Sequence, residues 1–366
     1  MTTLTCAKSL QYRPDWLEAR ERLIHWWNGG DIGRPLMQVV VSRPEPWEEM
    51  PTLSEPDGWI TDYSTSDYAY RIHLALTRCL TTTYLGEAVP AQSPGDLAPN
   101  CLALYLGCSG HEMPGTVWCA PFLSTLEDAR FPYNPENFYW QFSQRAFREI
   151  ARKGQGKFLQ QFPDLIEGLD TLAAIRGTEE LLEDLIEHPD WVHAALRQVT
   201  DRYFHYYDIL YDIIRDDVGG SVFWAWAPGR MAKFQCDFSA MISPAMFGEF
   251  MVPVLTEMTE RVNYSMYHWD GPGALAHLEH LLSIPRLNMI QWTPGAGAEP
   301  CWHQCWWPYY HRIINGGKKV FVFGFDDVAQ LHALRKEFGV DCKQFMISTG
   351  ARDQRQAEEF IAEMTF

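Results

Sequence analysis

Eight short runs rich in Val, Ile, Phe and Tyr recur along the chain, and stretches of helical periodicity separate most of them. The runs are PLMQVVVS (35–42), TTYLGEAVPA (82–91), KFLQQFPD (157–164), GSVFWAW (220–226), YSMYHWD (264–270), LNMIQW (287–292), KVFVFGF (319–325) and KQFMIS (343–348). Several are almost continuously apolar, the pattern of parallel strands covered on both faces. Between them lie amphipathic segments with readable start signals. Ser243 and Pro244 open one, Asp326 or Asp327 opens a second, Asp353 a third, and Pro189 breaks the long stretch after Glu179. Eight strands, most of them followed by a helix, predict a closed (β/α)8 barrel of the TIM type. Such barrels commonly use about 250 residues. The surplus in a chain of 366 residues is assigned to a helical N-terminal extension (1–34) and an insertion after the second strand (93–155). One domain, 1–366, is the expectation.

The barrel reading constrains where chemistry sits. Residues two apart in a strand face the same way, and barrel enzymes work at the C-terminal ends of their strands. His268 and Asp270 close the fifth run and therefore share a face at that end. Gly-Pro-Gly follows at once, a turn that lets backbone approach a ligand and a helix N-terminus receive an anion. Imidazole and carboxylate are both zinc ligands, and a catalytic zinc takes three from the protein. The alternative is a plain hydrogen bond between the two in a polar barrel mouth.

The segment WAWAPGRMAKFQCD places Arg230, Gln235, Cys236 and Asp237 after the fourth run, in a loop expected at the same mouth. Arg230 suits a carboxylate or phosphate clamp. Asp237 suits a general base or third metal ligand, and Cys236 a thiolate ligand. Structural ion pairing for Arg230, turn capping for Asp237 and inert burial for Cys236 are the plain alternatives. Asp164, Gln291 and Trp292 stand at other strand ends, and Trp224, Trp226 and Trp292 would wall a flat pocket. CWHQC (301–305) gathers two thiols and an imidazole at a spacing that matches no standard zinc module. Asp326 and Asp327 read as a helix start.

The net charge of −17 and the lack of a basic stripe argue against nucleic acid. No apolar run reaches membrane-span length. Nine scattered cysteines and an N-terminus without a signal-type apolar core point to a reducing cytoplasm. Homodimerisation is an open expectation.

Taken together, the strand-end segments resemble the uroporphyrinogen decarboxylase superfamily of (β/α)8 barrels over most of the chain after Lys157. The resemblance rests on LAAIRGTEELLEDLIEHPDWV, MISPAMFGEFMVPVLTEM, MYHWDGPGALAHLEHLLSIPRLNMIQWTPGAG and MISTGARDQRQAEEFI. It looks closest to a bacterial branch whose fifth strand ends His-x-Asp-Gly-Pro-Gly. The resemblance implies one of two chemistries. The decarboxylases are cofactor-free and hold porphyrinogen side chains with an Arg-Gln-Ala-Gly-Arg motif, which this chain lacks. The zinc methyltransferases move a methyl group between a corrinoid, carried on a partner protein, and a thiol or similar acceptor. They carry His-x-Cys where His268 and Asp270 stand, and a further Cys near Ala351. Metal-assisted methyl transfer on a small molecule, with His268, Asp270 and Cys236 or Asp237 as ligands, is therefore the leading expectation. Decarboxylation of a polycarboxylate by Asp237 or Asp270, with Arg230 holding a spectator carboxylate, is the second. A non-catalytic or carbohydrate-binding barrel using its Trp-rich mouth is the third.

Overall fold

Seven strands hydrogen-bond into one sheet, and all but one of its pairings are parallel. In the computed structural model, which describes residues 9–54, 65–113 and 115–366, the strands are β1 (Leu36–Ser42), β2 (Thr82–Gly86), β3 (Ala91–Gln92), β4 (Ser109–Met113), β5 (Thr116–Ala120), β6 (Leu159–Gln160), β7 (Ser221–Phe223), β8 (Ala225–Ala227), β9 (Met231–Gln235), β10 (Tyr264–Asp270), β11 (Met289–Thr293), β12 (Lys319–Phe323) and β13 (Phe345–Ala351). The large sheet runs β2-β1-β13-β12-β11-β10-β9, with β2 antiparallel to β1. Two-residue strands β3 and β6 pair with each other in parallel, and a parallel bridge joins Gln161 to Val222. The fold is α/β, with the helices packed against a mostly parallel central sheet.

Five of the eight expected runs enter the large sheet where the pattern places them. The other three differ. TTYLGEAVPA divides into β2 and β3, and KFLQQFPD contributes only two strand residues. GSVFWAW does not enter the sheet at all. It folds into the tight antiparallel hairpin β7–β8, with Trp224 at φ 53° between the two strands. The following MAKFQ, unmarked by the expectation, is the strand that pairs with β10. Alternation explains why it was overlooked: Lys233 and Gln235 on one face interrupt the apolar run that advertises a buried strand.

Helix boundaries follow their signals closely. Ser243 accepts a hydrogen bond from the Met246 amide, Asp353 from Gln356, and Asp327 forms a reciprocal capping box with Gln330. Pro189 starts helix Pro189–Ile214 directly after helix Thr178–Glu187. Trp16–Trp27 is the helix of the N-terminal extension, whose first eight residues lie outside the described part. Residues 93–155 hold helices Cys101–Leu106 and Phe138–Lys153 and the hairpin β4–β5.

Register then selects what faces what. On β10, Tyr267 and Trp269 turn toward the helices while His268 and Asp270 turn the other way. Trp269 packs against Trp292 of β11 with its ring tilted, 4.7 Å between ring centres, and Trp292 meets Trp306 in the same tilted way at 4.9 Å. Each such pair adds about 0.5–1.5 kcal/mol beyond its buried area. That aromatic layer clamps β10 and β11 from behind and holds the opposite row in register.

Candidate functional site

Cα register places Gln235, His268 and Gln291 side by side on three adjacent strands, and Asp270 beside Thr293. All lie at the C-terminal edge of the parallel sheet. His268 Nδ1 hydrogen-bonds the Gln291 side-chain oxygen, and Gln291 Nε2 donates to Thr293 Oγ1 at 2.9 Å. The amide orientation thus leaves oxygen as the acceptor for the ring and Nε2 of His268 free to face Asp270, whose Oδ2 is 3.9 Å away. The Trp224 ring meets the imidazole edge-on at 5.4 Å. Burial, then the charge of Lys233, lowers the His268 pKa, so the ring is neutral and ligand-competent at neutral pH.

Asp237 completes the group. One ligand atom each from Asp237, His268 and Asp270 all lie within 4.8 Å of one another, and among the described residues no other group of three or more His, Cys, Asp or Glu side chains does so. Gln235 Nε2 donates to Asp237 Oδ2 at 3.0 Å. The backbone amides of Asp237 and Phe238 both donate to the Asp170 carboxylate, at 2.9 and 2.8 Å, which pins the loop after β9. His277 Nε2 bonds the Ser239 carbonyl at 2.9 Å and ties that loop to the turn after β10. Asp237 stands at the solvent edge, yet the walls around its carboxyl, then the Asp170 charge, push it up to about 6.

Beneath the triad lies a buried ionic floor. Lys233 Nζ donates to Asp164 Oδ1 at 2.5 Å and to the Gln235 side-chain oxygen. Glu167 is fully buried; its Oε1 accepts the Gln235 amide at 2.6 Å, and its Oε2 has no partner. Burial pushes Glu167 well above the carboxylate range and raises Asp170. Asp96 is half-buried; desolvation of its carboxyl, then the Asp164 charge, pushes it up to about 6.

Backbone strain concentrates here too. The non-glycine residues with positive φ among the described ones are Ala98 (69°), Asn100 (85°), Ile166 (58°) and Trp224 (53°). Ile166 and Gly168 (58°) flank Glu167; a Cβ on Gly168 would lie 2.6 Å from Met251 Cε. A β-branched residue in this region is held only by its surroundings, and such strain gathers at functional sites. Beside the triad a cavity of about 410 Å³ opens between Asp170, Asp237, Asn100, Ile166, Ala173 and Trp118 of the β4–β5 hairpin.

Of the residues expected at the site, the structure assembles Asp237, His268, Asp270, Gln235, Gln291, Trp224 and Asp164. It removes four. Arg230 precedes β9, because the true strand begins at Met231, and so lies at the opposite edge of the sheet. There it pairs with Asp208 at 2.5 Å and covers the Tyr207 and Tyr211 rings. Trp226 is buried against Trp16 and donates to Asp216. Trp292 belongs to the layer behind the sheet. Cys236 is buried, its thiol is pushed well up by burial and nearby carboxylates, and it stays outside the triad. CWHQC is likewise dispersed: Cys301 donates to the Trp292 carbonyl, His303 caps a turn and Cys305 is exposed.

Lys233, Glu167, Asp170 and Asp96 were missed. The M-x-K-x-Q alternation of β9 and the three-residue spacing of acids in DLIEGLD were the signals available for the first three. Asp96 had none.

No protein-family model matches the chain, and no curated protein matches it. No helix among the described residues is long and apolar enough to cross a membrane.

Proposed function

We propose that this chain is a divalent-metal enzyme of the (β/α)8 type that transfers a small group on a small-molecule substrate, methyl transfer being the narrower form. Barrel closure is supported by the parallel β3–β6 pair and the Gln161–Val222 bridge, which continue the strand sequence between β2 and β9. The observation that carries the functional reading is the convergence of Asp237, His268 and Asp270 within 4.8 Å.

The residues fit a metal on three counts. His268 offers Nε2 while its other nitrogen is held by Gln291, the arrangement metal-ligating histidines adopt. Asp270 Oδ1 is buried without a partner, a vacancy that a cation satisfies. Three protein ligands leave a side open, as catalytic rather than structural centres require. Two carboxylates and one imidazole make a harder set than thiolates do, suited to zinc or manganese. Bound there, the ion would supply Lewis acidity to a heteroatom of the substrate. The chain's own residues do the rest: Gln235 orients Asp237, Gln291 orients His268, and Trp224 screens the imidazole from water. Lys233 balances part of the charge of Asp164.

Such a set favours an oxygen or nitrogen acceptor over a thiol. Corrinoid-linked transfer rests on the sequence resemblance alone. The decarboxylase reading loses its anion clamp, since Arg230 is at the far edge. The sugar-binding reading loses Trp226 and Trp292 as walls. Elemental analysis of protein purified without added metal tests the proposal. The expected result is one divalent ion per chain, lost in His268→Ala and Asp270→Ala proteins that keep their circular dichroism. Absence of stoichiometric metal, together with no thermal stabilisation by added zinc, manganese, cobalt or ferrous ion, refutes it.

A further inference from the structure

The cavity next to the triad has a chemical character of its own. Its volume of about 410 Å³ falls in the range of small-molecule sites. Ile166, Ala173 and Val117 make apolar wall, while Asp170 and Asp237 put two carboxyl groups on it. Among the described residues, no Lys, Arg or His lines it. The nearest buried cation, Lys233, is already engaged by Asp164 and Gln235. Behind Gln235, outside the lining itself, Glu167 adds a further carboxyl group whose Oε2 is fully buried and unpartnered. The Asp170 and Asp237 carboxyl groups on the wall favour a donor or a positive charge, and an anionic guest would be repelled by them. At the rim stands Trp118, 65% exposed on the β4–β5 hairpin. A tryptophan left that open beside an acidic cavity offers a face to a cation.

We propose that this cavity binds a small organic cation, an ammonium or quaternary ammonium compound with an apolar or aromatic body. The proposal rests on the reading of this cleft as the working site, and it names the substrate class for that site. Asp170 supplies the compensating charge, Trp118 the cation–π contact, and Ile166 and Ala173 the surface for the apolar body. The bound molecule lies alongside Asp237 and so next to the three metal-ligand candidates. Polycarboxylates are excluded by the same charges.

Calorimetric titration of the full-length protein tests this with three probes of one shape: benzyltrimethylammonium, neutral benzyl alcohol and the anion phenylacetate. Benzene-1,3,5-tricarboxylate is the polyanion control. Each is titrated into chelator-treated and zinc-loaded protein, with metal content measured on the same samples. Saturable binding is expected for the cation, at least ten-fold tighter than for the neutral probe, with none for either anion. Trp118 is exposed, so Trp118→Ala should fold normally and weaken cation binding by about 2-fold to 30-fold. Asp170→Asn should weaken it further. Anion binding as tight as that of the cation, or cation binding unchanged in Trp118→Ala, overturns the proposal. Cation binding by protein that takes up no metal removes the metal reading and leaves this one standing.

Discussion

Gln291 touches no ligand in the proposed scheme, yet replacing it should cost metal affinity by a calculable amount. Its side-chain oxygen holds His268 Nδ1, and its own amide nitrogen is anchored by Thr293 at 2.9 Å. Gln291→Leu keeps the volume and removes the acceptor. The half-buried ring then has no partner for its Nδ1 proton, and nothing selects the orientation that presents Nε2 to Asp270. Loss of such an outer hydrogen bond costs roughly 10-fold to 100-fold in metal affinity, or about 1.4–2.7 kcal/mol. The apo protein should be destabilised as well, by roughly 1–3 kcal/mol for the unsatisfied donor. Competition against a chromophoric zinc chelator at pH 7.5 reads the affinity, and urea unfolding in chelator reads the stability. Gln291→Glu, which restores an acceptor, should recover most of the metal binding. Zinc affinity unchanged in Gln291→Leu, with the fold intact, would show that His268 is not a ligand or that Gln291 does not orient it.

Two further outcomes follow from the buried charges. Asp96 accepts hydrogen bonds from the Asp164 amide and the Cys101 thiol, and burial, then the Asp164 charge, raises it to about 6. A folded-state value above the unfolded one near 3.9 means stability present below about pH 4 and lost as pH rises through 6. Asp96→Asn should therefore stabilise the protein at pH 7 by up to about 3 kcal/mol, and far less at pH 4, in urea titrations at the two pH values; equal effects at both would refute the assignment. Lys233→Met should destabilise by roughly 3–5 kcal/mol by stranding Asp164. Adding Asp164→Asn should recover part of that loss, and strict additivity in the double-mutant cycle would show that the pair is not coupled.

Much of this site is legible in the sequence. The two-residue period of a strand is a local property, so His268 and Asp270 were bound to share a face once YSMYHWD was read as a strand. Helix starts at Ser243, Asp327 and Asp353 are equally local, because a cap acts on amides two or three residues away. The reading went astray where the deciding contact was distant in sequence. GSVFWAW has strand composition, but whether it enters a sheet depends on the neighbour it finds. Trp224 turns it back on itself, and β10 pairs with MAKFQ instead. That shift moved Arg230 from the mouth to the far edge and brought in Lys233.

Sequence by itself settled the α/β alternation, the helix caps, the His268–Asp270 pairing and the overall acidity, since each depends on residues a few positions apart or on composition. Tertiary structure alone decided that Asp237 joins them, that Asp164, Glu167 and Asp170 crowd beneath, and that Trp226 and Trp292 face the core. Those outcomes depend on which strands become neighbours and which loops meet. That is set by the burial of the whole chain, so no window of sequence contains it.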